Sequence, residues 1–177
     1  MEPMTARGRM QGRVAFITGG GSGIARATAR RMAEEGAGVV IAEIDPVAAT
    51  AVQDELRADG FAALAVPTDV TDLAAVEAAA RAGIERFGKI DALFNCAGGS
   101  RADDAPVTEV DLALWEPTMD LNVRSAVLCS RVVIPHLRAA GGGTVVNMTS
   151  LMALAGNSLH LYSASKGAII SLTRAMA

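Results

Sequence analysis

Val14-Ala15-Phe16-Ile17-Thr18-Gly19-Gly20-Gly21-Ser22-Gly23-Ile24-Ala25 sets the architecture of the chain. Four apolar residues without in/out alternation run straight into a glycine-rich turn, and a helical pattern follows. An apolar run of that kind suits a strand buried on both faces, as in a parallel sheet. The glycines let the backbone turn sharply and approach a phosphate closely. The helix N-terminus behind them offers unpaired N–H groups and a partial positive charge. A Walker A loop is excluded, because no Gly-Lys-Ser or Gly-Lys-Thr follows.

Outward from this turn the same alternation repeats. Short apolar runs occur at Val39–Ala42, Ala62–Val66, Ala92–Phe94 and Thr144–Met148, with helical patterns between them. Asp45-Pro46 supplies an N-cap and a proline at the first helical position, and Gly60 stands where that helix ends. Thr71 opens the next helix, in which Leu73, Val76, Ala80, Ile84 and Phe87 keep helical spacing and Gly88 closes it. Gly98 to Glu109 reads as a polar loop, with Arg101, Asp103 and Asp104 solvated. A longer helical stretch runs from about Asp111 to Ala140, interrupted at Pro117 and bent or ended near Pro135. The final helix begins near His160, and His160 itself reads as a residue of the helix start. Strands alternating with helices of this length predict right-handed βαβ units, hence a doubly wound parallel α/β sheet. Residues 1–12 read as a flexible lead-in, and residues 13–177 as one nucleotide-binding domain.

Composition narrows the function. The chain has 177 residues, of which 51% are apolar but only 3% aromatic, so its hydrophobicity sits in Ala, Val, Leu and Ile. Disorder is excluded at that apolar content with 20% charge. A net charge of −3 argues against nucleic acid or an anionic membrane as partner. No apolar run approaches the ~18 residues of a membrane span, and no secretory signal is visible. Cys96 and Cys129 are far apart and lack C-x-x-C spacing, so both read as buried, reduced thiols of a cytoplasmic protein. His136 and His160 are too few and too separated to argue a metal site.

Glu43 ends the second strand twenty residues after Gly23. A carboxylate there can accept hydrogen bonds from the hydroxyls of an adenosine ribose, and it would repel a 2′-phosphate. The turn carries no Lys or Arg to offset that repulsion; Ser22 precedes Gly23. NAD is therefore expected as cofactor, with NADP the less favoured alternative.

Near the end of the chain, Tyr162 and Lys166 lie one helical turn apart on one face. A free phenol titrates near pH ~10, so acid/base work at neutrality asks for about 4 kcal/mol of help. One ammonium at ~4 Å supplies about that much at an effective dielectric of 20. Tyr162 is the only tyrosine, and Ser150 precedes it by twelve residues, just past the fifth strand. Strand ends face the ligand crevice in this architecture, so Ser150 can share a substrate oxygen with Tyr162. Asn122 could position a water, and Asn95 lies at the same sheet edge.

Taken together, Thr18–Gly23, Asp69, Asn95–Gly98, Asn122, Ser150, Tyr162 and Lys166 resemble the short-chain dehydrogenase/reductase family, in its single-domain Rossmann form. The resemblance implies hydride transfer between a nicotinamide and an alcohol or carbonyl carbon of a small-molecule substrate. It implies Tyr162 as acid/base, Lys166 assisting it and holding the nicotinamide ribose, Ser150 orienting the carbonyl and Asn122 holding a relay water. Gly19, Ser22, Gly23 and Ile24 would line the pyrophosphate, Asp69 and Val70 the adenine, and Asn95, Ala97 and Gly98 the rest of the cofactor. A homodimer or homotetramer is implied as well. Three departures stand out. Ala25 replaces the third glycine of the turn. Ser150 is one residue closer to Tyr162 than the usual spacing, which leaves Thr149 as a competitor. Finally, the sheet is expected to lack the last strands and substrate-covering segment of the family. That departure raises the alternative of a catalytically weak or inactive nucleotide-binding fragment, and the resemblance leaves a further alternative, an NADP-dependent 3-oxoacyl-carrier reductase, which the same family includes.

Overall fold

A computed structural model describes residues 8–177. Five strands, β1 (Val14–Thr18), β2 (Gly38–Glu43), β3 (Ala63–Pro67), β4 (Ala92–Asn95) and β5 (Thr144–Asn147), form one sheet in the order β3-β2-β1-β4-β5. Every pairing is parallel. Helices α1 (Gly23–Glu34), α2 (Pro46–Ala58), α3 (Leu73–Phe87), α4 (Trp115–Met119), α5 (Ser125–Ala139) and α6 (His160–Met176) complete the chain. The expected doubly wound parallel α/β fold is therefore present.

The apolar runs are continuous because alternate residues of one strand serve opposite faces. Val14, Phe16 and Val40 pack with Val76, Ala80, Val133 and Leu137 of α3 and α5. Ala15, Ile17, Val39 and Ile41 pack on the other face, against Ala25, Ala29, Val52 and Leu56 of α1 and α2. Phe16 and Ile17 are fully buried, one on each side. Ala25, in place of the third glycine, is 2% exposed and fits within the second cluster. Small side chains let α1 lie close to the sheet.

Local chemistry moves several boundaries. Asp72, not Thr71, caps α3, its carboxylate accepting from Ala74 N at 2.9 Å. The Thr71 hydroxyl donates to Asp69 instead. Pro117 does not interrupt the long helical stretch, because it lies in the first turn of α4, where an N–H has no intrahelical acceptor. Pro135 lies inside α5, which continues to Ala139. The irregularity falls elsewhere, in a π-helical turn at Asp120–Arg124 between α4 and α5. Of the lead-in, residues 1–7 lie outside the described residues. In its remainder, Arg9 N and the Arg9 guanidinium both donate to the Glu35 carboxylate at 2.9 Å, and Met10 N donates to Glu35 O.

Asp91, just before β4, ties the sheet together. Its carboxylate is 4% exposed, accepts from Val14 N at 2.8 Å and pairs with Arg13 and Lys89. Burial alone would raise its pKa, but the Lys89, Val14 and Arg13 donors together hold it below the usual carboxylate value.

Candidate functional site

Strand order reverses between β1 and β4, and ligands of open α/β sheets bind outside the C-terminal strand ends at such a point. A cleft of about 460 Å³ lies there. Gly19, Ser22, Gly23 and Ile24 form one wall; Glu43, Asp69 and Val70 close one end, and Tyr162 and Lys166 line the cleft with Ala97 and Gly98. The structure thus gathers eleven of the residues singled out in the sequence. Ser150, Asn95 and Asn122 are not part of its wall.

The turn after β1 is built for close approach. Gly19 has φ +68°, and a Cβ there would stand 3.0 Å from the Ala97 backbone. Asp45 and Asp72 cap α2 and α3 with their carboxylates, whereas α1 begins at Ser22 with no side-chain cap and no acid in its first turn. The positive end of α1 is thereby open to an anion. Beneath it, the Thr18 hydroxyl accepts from Cys96 N and Ala97 N, both at 3.0 Å, fixing the loop after β4 against β1. The Glu43 carboxylate accepts from Gly21 N at 2.9 Å and Asp45 N at 3.2 Å. Asp69 accepts from Thr71 N and its hydroxyl.

At the other end, Lys166 is 3% exposed and donates from Nζ to Met148 O at 3.2 Å. Burial lowers its pKa below the ordinary lysine value. Nζ stands 5.7 Å from the centroid of the Tyr162 ring. Gly98, at φ +148°, passes so close that a Cβ would stand 2.6 Å from Asn122 Oδ1 and 3.1 Å from Lys166 Nζ. Asn122 is 2% exposed, and its amide is spent on Gly99 N, Gly99 O and Thr118 O. Its side chain therefore fixes the Gly98–Gly99 backbone. Asn95 Nδ2 donates to Ser130 on α5 and to Asn147 on β5. Its Oδ1 is buried without a protein partner, beside a void of about 10 Å³ that Asn122 and Lys166 also line.

Ser150 and Thr149 are separated by their partners. Thr149 Oγ1 donates to Lys166 O at 2.9 Å, so this hydroxyl is committed to the backbone of α6. Ser150 accepts from Met152 N at 3.2 Å, which leaves its own proton free to donate.

Three features escaped the sequence. Asp104 is not a solvated loop charge: its carboxylate accepts from Leu161 N at 3.1 Å and Tyr162 N at 2.8 Å, capping α6 from across the loop. His160 Nδ1 accepts from Val107 N at 2.8 Å while Nε2 faces Asn157 O, so it pins the same loop. Cys96 is half-buried and lines the cleft, unlike Cys129, which is buried with its thiol pushed up to about 12. No spacing rule reports these contacts, since they join segments far apart in the chain.

Among the described residues no helix is long and apolar enough to cross a membrane. The chain is 38% identical over 168 residues to the (2S)-[(R)-hydroxy(phenyl)methyl]succinyl-CoA dehydrogenase subunit of Thauera aromatica, covering 95% of this chain and 67% of that protein. It is 35% identical over 170 residues to an NAD(+) 2-dehydro-3-deoxy-L-rhamnonate dehydrogenase of a Sphingomonas species, covering 96% and 66%. The chain spans about two thirds of the length of these curated relatives. A 7α-hydroxysteroid dehydrogenase solved with NADH and 7-oxo glycochenodeoxycholic acid superposes with a TM-score of 0.89 at 34% identity, covering 96% of this chain and 66% of that one. The model of the short chain dehydrogenase family matches residues 13–177. With its switch-point cleft and its Tyr162–Lys166 pair, the chain belongs to the short chain dehydrogenase family.

Proposed function

We propose that this chain is the cofactor-binding and catalytic part of an NAD-dependent oxidoreductase acting on a secondary alcohol or its ketone. The observation that carries the reading is one continuous cleft with an acidic end, Glu43, and a cationic end, Lys166 beside Tyr162. The cleft fits a dinucleotide in three ways. Its volume lies within the usual range for cofactor sites. An uncapped helix start lines it, and Gly19 and Gly98 stand where a Cβ would meet backbone or polar atoms.

Glu43 would accept from the adenosine ribose hydroxyls and Asp69 with Val70 would flank the adenine. Gly19, Ser22, Gly23 and Ile24 would hold the pyrophosphate, and Ala97, Gly98 and Lys166 the nicotinamide ribose. When bound, the nicotinamide supplies the hydride acceptor or donor. Tyr162 Oη takes the hydroxyl proton in oxidation and returns it in reduction, with the Lys166 ammonium beside its ring. Ser150 orients the substrate oxygen by donating to it. Asn122 acts through the Gly98–Gly99 backbone. Lys166 is the only cation lining the cleft among the described residues, so nothing near Glu43 would neutralise a 2′-phosphate. That supports NAD over NADP.

A nucleotide-binding unit without turnover of its own is the second reading, supported by Ser150 and Asn122 lying outside the cleft wall. Self-association into a dimer or tetramer is supported by the exposed apolar side chains of Leu112, Trp115, Val127, Leu151 and Leu154. The test is turnover of a panel of secondary alcohols and ketones, followed by NADH absorbance. Tyr162→Phe should abolish turnover and leave NADH affinity within about threefold, a phenol proton being needed for chemistry but not for binding. Turnover retained in Tyr162→Phe overturns the mechanism, and NADH binding without turnover in the unaltered chain selects the second reading.

A further inference from the structure

We infer that Gly21 is a positioning residue that enforces the choice of NAD over NADP by holding the Glu43 carboxylate in place. The inference rests on the reading of Glu43 as the ribose acceptor. Gly21 is the third glycine in a row, and its backbone is not in the left-handed region that favours glycine. Conformation therefore does not demand glycine there. Space does. A Cβ at Gly21 would stand 2.8 Å from Glu43 Cγ, 3.0 Å from Glu43 Oε2 and 2.8 Å from Ala48 Cβ.

The missing side chain opens a slot, and Glu43 fills it. Gly21 N donates to Oε2 at 2.9 Å from the phosphate turn, while Asp45 N donates to Oε1 at 3.2 Å from the loop after β2. The carboxylate is thus fastened from both sides, by backbone rather than by mobile side chains. Each carboxylate oxygen can accept a second hydrogen bond, so fastening does not exhaust its capacity for ribose hydroxyls. A fixed acceptor binds the ribose diol without a further loss of side-chain freedom. It also cannot swing away from a 2′-phosphate, so repulsion is felt in full. Small size at position 21 accordingly serves both sides of the discrimination.

An alanine at position 21 has to displace something. Glu43 is the flexible neighbour, whereas Ala48 sits in the first turn of α2. Replacing Ala48 by glycine removes the second obstacle, so Gly21→Ala combined with Ala48→Gly leaves Glu43 as the group that moves. The experiment measures Kd for NADH and NADPH by fluorescence titration in the unaltered chain, Gly21→Ala, Gly21→Ala/Ala48→Gly, Glu43→Ala, and the triple variant. Thermal melts verify that each is folded. Losing a held charged acceptor should weaken NADH roughly tenfold or more, with NADPH unchanged or tighter. Gly21→Ala/Ala48→Gly should collapse the preference as Glu43→Ala does, and adding Glu43→Ala to it should change the ratio no further. If Glu43→Ala collapses the preference while the Gly21 variants keep it, or weaken both nucleotides equally, the role of Gly21 is overturned and the ribose reading stands. If Glu43→Ala leaves the preference intact, the ribose reading itself fails.

Discussion

Replacing Thr18 by valine isolates the bond that joins the phosphate turn to the opposite wall of the cleft. Thr18 is 2% exposed, and its hydroxyl accepts from Cys96 N and Ala97 N at 3.0 Å each. It lies 3.4 Å from Phe94 O, to which it donates. Valine keeps the shape but accepts nothing, so two backbone N–H groups lose their partner. A buried unpaired N–H costs about 1–3 kcal/mol; with Cys96 and Ala97 half-buried, the sum should be about 3 kcal/mol. For a domain of this size that corresponds to a fall in Tm of roughly 6–12 °C. Thr18→Ser keeps the acceptor and should lose far less. The assay is thermal melting with urea unfolding as a check, together with NADH affinity, which should also fall because Ala97 lines the cleft. A Thr18→Val chain that melts within about 2 °C of the parent would show that these two N–H groups do not depend on the Thr18 hydroxyl.

Other consequences follow from the same geometry. Because the Asp91 pKa is lowered on folding, its contribution is fully present above the unfolded value near ~3.9 and is lost as pH falls through the folded one. Asp91→Asn should therefore be less stable than the parent at pH 7, by about 1–3 kcal/mol. Urea melts should show this gap closing towards pH 2–3, and a gap independent of pH contradicts the assignment. Asp104→Ala removes the acceptor for Leu161 N and Tyr162 N, and should cost about 1–2 kcal/mol as lost helix caps do. Turnover should fall more than NADH affinity in that variant, since Tyr162 sits on the capped turn; equal loss in both would argue against local positioning. The Cys96 thiol lines the cleft with its pKa raised by burial. Alkylation there should be slow, slower still under saturating NADH, and absent in Cys96→Ala; protection by NADH that persists in that variant would contradict it.

The parallel sheet was legible in the sequence because both its faces are covered, which forces runs such as Val39–Ala42 to be apolar throughout. Tyr162 and Lys166 were legible because helical periodicity alone puts i and i+4 on one face. Glu43 was legible as a strand-end carboxylate, but not its fastening by Gly21 N, a contact between residues 22 apart. Helix punctuation was read well where one residue decides it, as at Asp45 and Gly88. It failed at Pro117, which sits in the first turn of α4 where a helix tolerates proline, and the π-helical turn that contains Asn122 left no mark at all. Asp104 and His160 were invisible in their roles, since a loop that returns to cap a distant helix has no periodicity. Spacing could not separate Thr149 from Ser150 either, because the bond from the Thr149 hydroxyl to the Lys166 carbonyl joins residues 17 apart.

In the proposed function, one cleft holds a dinucleotide with its adenosine at Glu43 and its nicotinamide at Tyr162 and Lys166. The most direct measurement is a crystal structure of the chain grown with NADH. It should show the adenosine ribose hydroxyls on the Glu43 carboxylate, the pyrophosphate over the start of α1, and the nicotinamide beside Tyr162. A dinucleotide bound in the reverse direction, or seated outside this cleft, would contradict the claim.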